Sequence, residues 1–174
     1  AEVDLAAVAR DVADLYEPIA EDRGLRIEVS TEQAVPVSGH AELLAQAVSN
    51  LVDNATKYAR SRIHVEAGID AGGARVTVAD DGPGIPAEDR ERATERFVRL
   101  DPSRSGKGAG LGLSLVAAVA RLHGGELVLS DAGPGLKVEL VLPSLVAAGD
   151  ETIGPAQPSS SEVPPLGYQD IVAG

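Results

Sequence analysis

The sequence predicts a two-layer α+β sandwich, and three features of the chain predict it. Helical and extended segments come in groups instead of strict alternation, two strand pairs read as hairpins, and glycines stand where two apolar helices should stop. At 174 residues the chain is of a size for one domain, placed over residues 1–148. From 149 to 174 the composition turns to Pro, Ser, Gly and acidic residues without periodicity, which predicts a disordered tail; the bland alternative is a short docking peptide ending in Tyr168 to Val172.

Taken in order, Leu5, Val8, Val12, Leu15 and Ile19 recur at spacings of three and four, so residues 3 to 22 read as an amphipathic helix stopped at Gly24. Extended pieces follow around Leu25 to Val29 and Val35 to Val37. Residues 40 to 58 return to helical periodicity, with Leu44, Ala47, Leu51 and Ala55 as the buried stripe. Ile63, Val65 and Ala67 alternate with Arg62, His64 and Glu66, and Arg75 to Ala79 repeats the pattern after Gly72-Gly73, which predicts a hairpin. Pro86 suits the first position of a charged helix running to about Phe97, and Arg99 to Gly110 has the composition of a mobile loop. An apolar helix over Leu111 to Leu122 stops at Gly124. Strands at Glu126 to Ser130 and Leu136 to Leu142 form a second hairpin across Asp131 to Gly135.

Composition removes several classes of function. A net charge of -12 argues against nucleic acid as a partner, because phosphate backbones need a surplus of Lys and Arg. No cysteine is present, and His40, His64 and His123 are too scattered for a zinc cluster. No apolar run approaches the roughly 20 residues of a membrane span and the N-terminus lacks a signal-peptide layout, so the chain as given is expected to be soluble. With only Tyr16, Tyr58, Phe97 and Tyr168 as aromatics, the core must be aliphatic.

Three constellations carry chemistry. Asn50, Asn54 and Lys57 fall at i, i+4 and i+7 on one face of the second helix, with Tyr58 beside them. Carboxamide oxygens are hard ligands suited to Mg²⁺, while amide nitrogens and the ammonium are donors for phosphate oxygens; the bland reading is a solvated polar face. Asp80-Asp81-Gly82-Pro83-Gly84-Ile85 follows an alternating strand. A carboxylate at the strand end, here Asp80, can accept a hydrogen bond from an exocyclic amine and so tell adenine from guanine, and the glycines let backbone approach a ligand; the bland reading is an ordinary tight turn. Gly106 to Leu113 opens an apolar helix and offers free N–H groups at its start, where a polyphosphate could sit, with a flexible linker as the bland reading. A dinucleotide fingerprint fails there because no strand precedes the segment. A Walker A loop fails because Asp101 replaces its first glycine and Gly108 its Ser or Thr.

In order and spacing these segments resemble the N, G1, F and G2 boxes of bacterial sensor histidine kinases. They read Asn50-Leu51-Val52-Asp53-Asn54-Ala55-Thr56-Lys57-Tyr58, Asp80 to Ile85, Glu95-Arg96-Phe97-Val98-Arg99-Leu100 and Gly106-Lys107-Gly108-Ala109-Gly110-Leu111-Gly112-Leu113, within a likeness from about Val3 to Pro143. The resemblance implies the Bergerat fold: a mixed sheet of about five strands covered by three helices, with ATP between a long helix and a mobile lid. It implies that Asn54 coordinates Mg²⁺, that Asn50 and Lys57 contact phosphates in catalysis, that Tyr58 packs near the nucleotide, and that Asp80 binds the adenine amine beside Gly82, Gly84 and Ile85. Arg96 and Arg99 would lie near the γ-phosphate or a partner domain, and Phe97 would anchor the lid. Ser105, Lys107, Gly108, Ala109, Gly110, Leu111, Gly112 and Leu113 would form the lid and its phosphate-binding end.

The implied reaction is γ-phosphoryl transfer from Mg-ATP to a histidine on a separate dimerisation domain, with a response regulator downstream. No histidine here is followed by the Glu and Pro that mark such an acceptor, so the chain is expected to be a monomeric, cytoplasmic fragment of a homodimeric parent, anchored in the inner membrane by a region outside it. His40 stands where the family commonly has Asp, a surface or capping change; His123 at a helix end is expected to be protonated and structural, and His64 solvated. Related hydrolases of the fold place a glutamate base where Asn50 stands. A catalytically silent nucleotide-binding module and an anti-sigma-type serine kinase of the same fold are the remaining alternatives.

Overall fold

In the computed structural model, residues 1–31, 33–90 and 109–146 are described. In chain order the elements are β1 (Glu2–Asp4), α1 (Leu5–Asp22), β2 (Arg26–Thr31), β3 (Pro36–Ser38), α2 (Ala41–Tyr58), β4 (Arg62–Asp70), β5 (Gly73–Asp80), a 3-10 turn at Ala87–Asp89, α3 (Ala109–Leu122), β6 (Glu126–Asp131) and β7 (Leu136–Leu142). Five strands form a mixed sheet in the order β2-β4-β5-β7-β6, and β1 pairs with β3 in a separate two-stranded ribbon. Only β2 and β4 run parallel, with Ile27 opposite Ile63; β4 with β5, β5 with β7 and β6 with β7 are antiparallel. The expected α+β sandwich and the mixed sheet of about five strands under three helices are what the chain forms.

Sheet parity decides which face is covered. Ile63, Val65 and Ala67 of β4, Ala74, Val76 and Val78 of β5 and Leu136, Val138, Leu140 and Leu142 of β7 are buried beneath the helices. On the alternate rows, Arg75 of β5 pairs with Asp70 and with Glu139 of β7, both at 3.0 Å. Helix α2 lies centrally between α1 and α3; α1 rides over β2 and β4, α2 over β5, and α3 over β6 and β7. The stripe expected for α2 is buried in full at Leu44, Ala47, Leu51 and Ala55.

Helix α1 differs from the expectation. Val3 lies in β1, and the helix begins at Leu5 because the Asp4 carboxylate caps it, accepting the Ala6 N–H at 3.0 Å and the Val35 N–H at 2.7 Å. Leu5, Ala9, Val12 and Ala20 are buried, whereas Leu15 is 67% and Ile19 40% exposed. The stripe assigned from Leu5 to Ile19 advances by sevens, which drifts about 20° per heptad around a straight helix. By the third turn it has left the core, and alanines take its place.

Both glycine stops hold. After α1 the Leu25 N–H reaches Ala20 O at 2.8 Å and the Gly24 N–H reaches Glu21 O at 3.0 Å, and after α3 the Gly125 and Gly124 N–H groups repeat the pair on Ala120 and Arg121. At Pro86 the expected helix does not begin directly, since Ala87–Asp89 forms a 3-10 turn with Pro86 ahead of it; 91–97, residues 99–108 of the expected loop and the expected tail 149–174 lie outside the described residues, while Ala109 and Gly110, assigned to that loop, are the first residues of α3.

One of the histidines also departs from expectation. His123 Nδ1 faces Val119 O at 2.8 Å and Nε2 lies 3.1 Å from the His40 backbone N–H, so the ring ties the end of α3 to the start of α2. The role is structural, as expected. His64 is not simply solvated, since its Nε2 meets Ser30 Oγ at 3.0 Å. No helix among the described residues is long and apolar enough to cross a membrane.

Candidate functional site

The core parity of β5 runs through Ala74, Val76 and Val78 to Asp80, so the strand's last side chain points under the helix layer and is 8% exposed. Its Oδ1 accepts the Gly82 N–H at 2.8 Å, which fixes the carboxylate in the turn. The C-terminal end of α2 comes to the same place: a Cβ on Gly82 would lie within 2.1 Å of the Tyr58 carbonyl oxygen, so only glycine allows this approach. The first turn of α3 arrives there too. Its C-terminal glycines abut the far end of β7, where a Cβ on Gly125 would lie 1.9 Å from Val141 O, and its 14 residues span about 21 Å, the length of the strand below.

One end of the sandwich therefore gathers the polar face of α2, the turn after β5 and the N-terminus of α3. Asn50, Asn54, Lys57 and Tyr58 are all half-buried there. Lys57 Nζ is paired with Asp53 Oδ2 at 3.2 Å, one helical turn back. Tyr16 of α1 packs at the same helix; burial first, then the charge of Asp53, raises its phenol above the ordinary value. No group of three or more His, Cys, Asp or Glu among the described residues could hold a metal.

Several expected site residues are core residues in part. Leu113 is buried in the central cluster and Ile85 packs against it, so either could meet a ligand only through its backbone or an edge. Gly82 closely approaches the Tyr58 carbonyl, and Gly84, at φ +75°, the Gly135 carbonyl. At Gly112 a Cβ would meet nothing within 4 Å. Arg96, Phe97, Arg99, Ser105, Lys107 and Gly108 lie outside the described residues. Ala109, Gly110 and Leu111 belong to the first turn of α3, whose N–H groups have no partner within the helix.

Sequence reasoning missed Asp81, Ser61 and Gly135. Asp81 Oδ1 accepts the N–H groups of Arg60, Ser61 and Arg62 at 2.9, 3.0 and 3.1 Å, and Oδ2 accepts the Ser61 hydroxyl. Burial raises the Asp81 carboxyl, but these four donors outweigh it and hold the group well below the usual carboxylate range. A Cβ on Gly135 would lie 1.8 Å from Asp80 O, so the β6–β7 turn closes on the strand end from the other side. The doubled Asp80-Asp81 was the one visible signal, because two adjacent carboxylates on an alternating strand cannot face the same way.

A mixed sheet covered on one face by helices, with a buried strand-end carboxylate beside the end of the central helix, is the architecture of Bergerat-type ATP-binding domains. Residues 39–145 match the family model described as histidine kinase-, DNA gyrase B-, and HSP90-like ATPase, and the chain belongs to that family. The sensor protein IrlS of Burkholderia pseudomallei is 44% identical over 127 residues, 71% of this chain and 27% of that protein. The solved mycobacterial sensor histidine kinase MprB superposes with a TM-score of 0.71 at 34% identity, covering 83% of this chain and 97% of that one. Full-length ShkA, solved in complex with AMPPNP, gives a TM-score of 0.71 at 30% identity over 85% of this chain and 32% of its own. The likeness is thus to the catalytic, ATP-binding part of sensor histidine kinases, and the chain spans about a quarter of the length of IrlS.

Proposed function

We propose that this domain binds Mg-ATP against the polar face of α2, between that helix and the lid segment ahead of α3, and donates the γ-phosphoryl group to a histidine on a separate phosphoacceptor domain, with a response regulator downstream. The observation that carries the reading is the convergence of a buried strand-end carboxylate, Asp80, with the amide-bearing face of α2. Asp80 would accept the adenine amine; guanine presents an oxygen at that position and is repelled. Asn50 and Lys57 would donate to phosphate oxygens, and the first-turn N–H groups of α3 would face the polyphosphate. The Asn54 amide oxygen, a hard ligand, would contribute to holding a Mg²⁺ ion that otherwise takes phosphate oxygens and water. Phosphoryl transfer asks for positioning and charge neutralisation more than for covalent help, and Arg96 and Arg99 are the cations proposed to supply the latter. An asparagine at position 50, where a hydrolase needs a general base, favours transfer to a protein side chain over transfer to water.

Calorimetric titration tests the reading. ATP should bind in a Mg²⁺-dependent manner and GTP should not. Asp80→Asn should weaken binding by about tenfold or more, the value of a hydrogen bond to a charged group. A folded sample that binds no ATP overturns the assignment. Given binding, γ-labelled ATP offered with a histidine-bearing helical domain should yield an acid-labile phosphoprotein; an acid-stable product would instead mean a serine acceptor.

A further inference from the structure

We propose that Asp81 is a positioning residue that sets the spacing between the adenine-reading carboxylate of Asp80 and the phosphate-reading face of α2, so that it governs affinity for a whole nucleotide more than for either half. The inference rests on the nucleotide reading of the cleft. It starts from an asymmetry between neighbours: Asp80 points beneath the helices, and Asp81 points the other way onto the turn that leaves α2.

That turn is short. Helix α2 ends at Tyr58, Ala59 closes it with its N–H on Ala55 O, and β4 starts at Arg62. The three consecutive N–H groups of Arg60, Ser61 and Arg62 converge on Asp81 Oδ1, and the Ser61 hydroxyl takes Oδ2. Ser61 O in turn accepts the Arg26 N–H at 2.9 Å, which secures the turn to β2. A single side chain thereby tethers the end of the phosphate-reading helix to the residue next to Asp80. Pulling alone does not define a distance, and the opposing limit is also present. Gly82 meets the Tyr58 carbonyl so closely that a Cβ could not be inserted, while Gly135 backs the Asp80 carbonyl from the other side. The Gly82 contact fixes how near α2 can come to the strand end, and the tether fixes how far it can go.

A ligand that touches only Asp80 does not sense this spacing, whereas one that reaches from Asp80 to Asn50, Asn54 and Lys57 needs both ends held at once. Preorganisation of that kind lowers the ordering cost of binding for the spanning ligand alone. Asp81 is therefore predicted to act on the ratio between ATP and adenosine affinities.

The test titrates Mg-ATP and adenosine into the 174-residue chain and into its Asp81→Ala, Asp81→Asn and Ser61→Ala variants, following both ligands by NMR shifts so that weak binding is readable. Asp81→Ala should weaken ATP by about tenfold or more and adenosine by less than about twofold, the loss of charge-assisted hydrogen bonds being felt only by the spanning ligand. Asp81→Asn keeps an acceptor for the three N–H groups and should restore ATP affinity to within about threefold, and Ser61→Ala should shift the ratio in the same direction by a smaller factor. Partial unfolding would weaken both ligands by one common factor, so parallel losses, or an unchanged ATP affinity in a folded variant, overturn the proposal. Should Asp81→Ala not fold, the same comparison is made on Ser61→Ala and Asp81→Asn, where a parallel loss has the same meaning. A wild-type chain that binds neither ligand would bring down the nucleotide reading itself, and this inference with it.

Discussion

Asp80 and Asp81 show how far a single peptide bond can separate two roles. The alternation of β5 sends the first carboxylate under the helices and the second out to the α2–β4 turn, where four donors meet it. A group whose carboxyl is held below its unfolded value of 3.8 contributes stability that is fully present above that value and is lost as pH falls through the folded one. The acid side of the stability curve, followed by urea midpoints from about pH 5 downward, should therefore be flatter in Asp81→Asn than in the wild type. An equal slope in both would mean that the turn is held by other contacts. Asp80 was legible as a strand-end carboxylate, since its placement follows from residues 75 to 79 alone. The partners of Asp81 precede it by 19 to 21 residues, and no local pattern announces them.

Among the elements, α2 was read correctly because large aliphatic side chains face the sheet at Leu44 and Leu51 throughout its length. In α1 the buried face is mostly alanine, which lets the helix lie close to the sheet, and Leu15 and Ile19 drew attention to the wrong side. The ribbon of β1 with β3 was missed because three-residue strands are too short to show alternation. Helix α2 also carries an unused opportunity at its start. His40 occupies the N-cap with extended backbone but makes no side-chain capping bond, so the first N–H groups go without the partner that Asp4 gives to α1. His40→Asp should raise thermal and urea stability by about 1 kcal/mol, the usual worth of such a cap, provided the backbone N–H still reaches His123. A loss of stability instead would show that the edge-on contact of the two imidazoles, with centroids 5.7 Å apart, outweighs a cap.

For the whole molecule, the order of the described elements was legible, because periodicity and glycine mark their boundaries. What was not legible is how the C-terminal hairpin completes the site, since that depends on the sheet order placing β7 beside β5. The chain carries a net charge of -12, and its self-repulsion is relieved by screening. The melting temperature should rise as ionic strength goes from about 0.01 M to about 0.15 M; a flat or falling response would mean that local ion pairs such as Arg75 with Asp70 and Glu139 dominate. The contact of Gly135 with the Asp80 carbonyl has a consequence for synthesis. A ribosome that has released everything through α3 has already made Asn50, Asn54 and Asp80, yet β5 still lacks the neighbour on its other edge and the strand end its second wall. The strand end that holds Asp80 gains that wall only when the β6–β7 hairpin emerges, so a product terminated after α3 would leave the carboxylate open on that side.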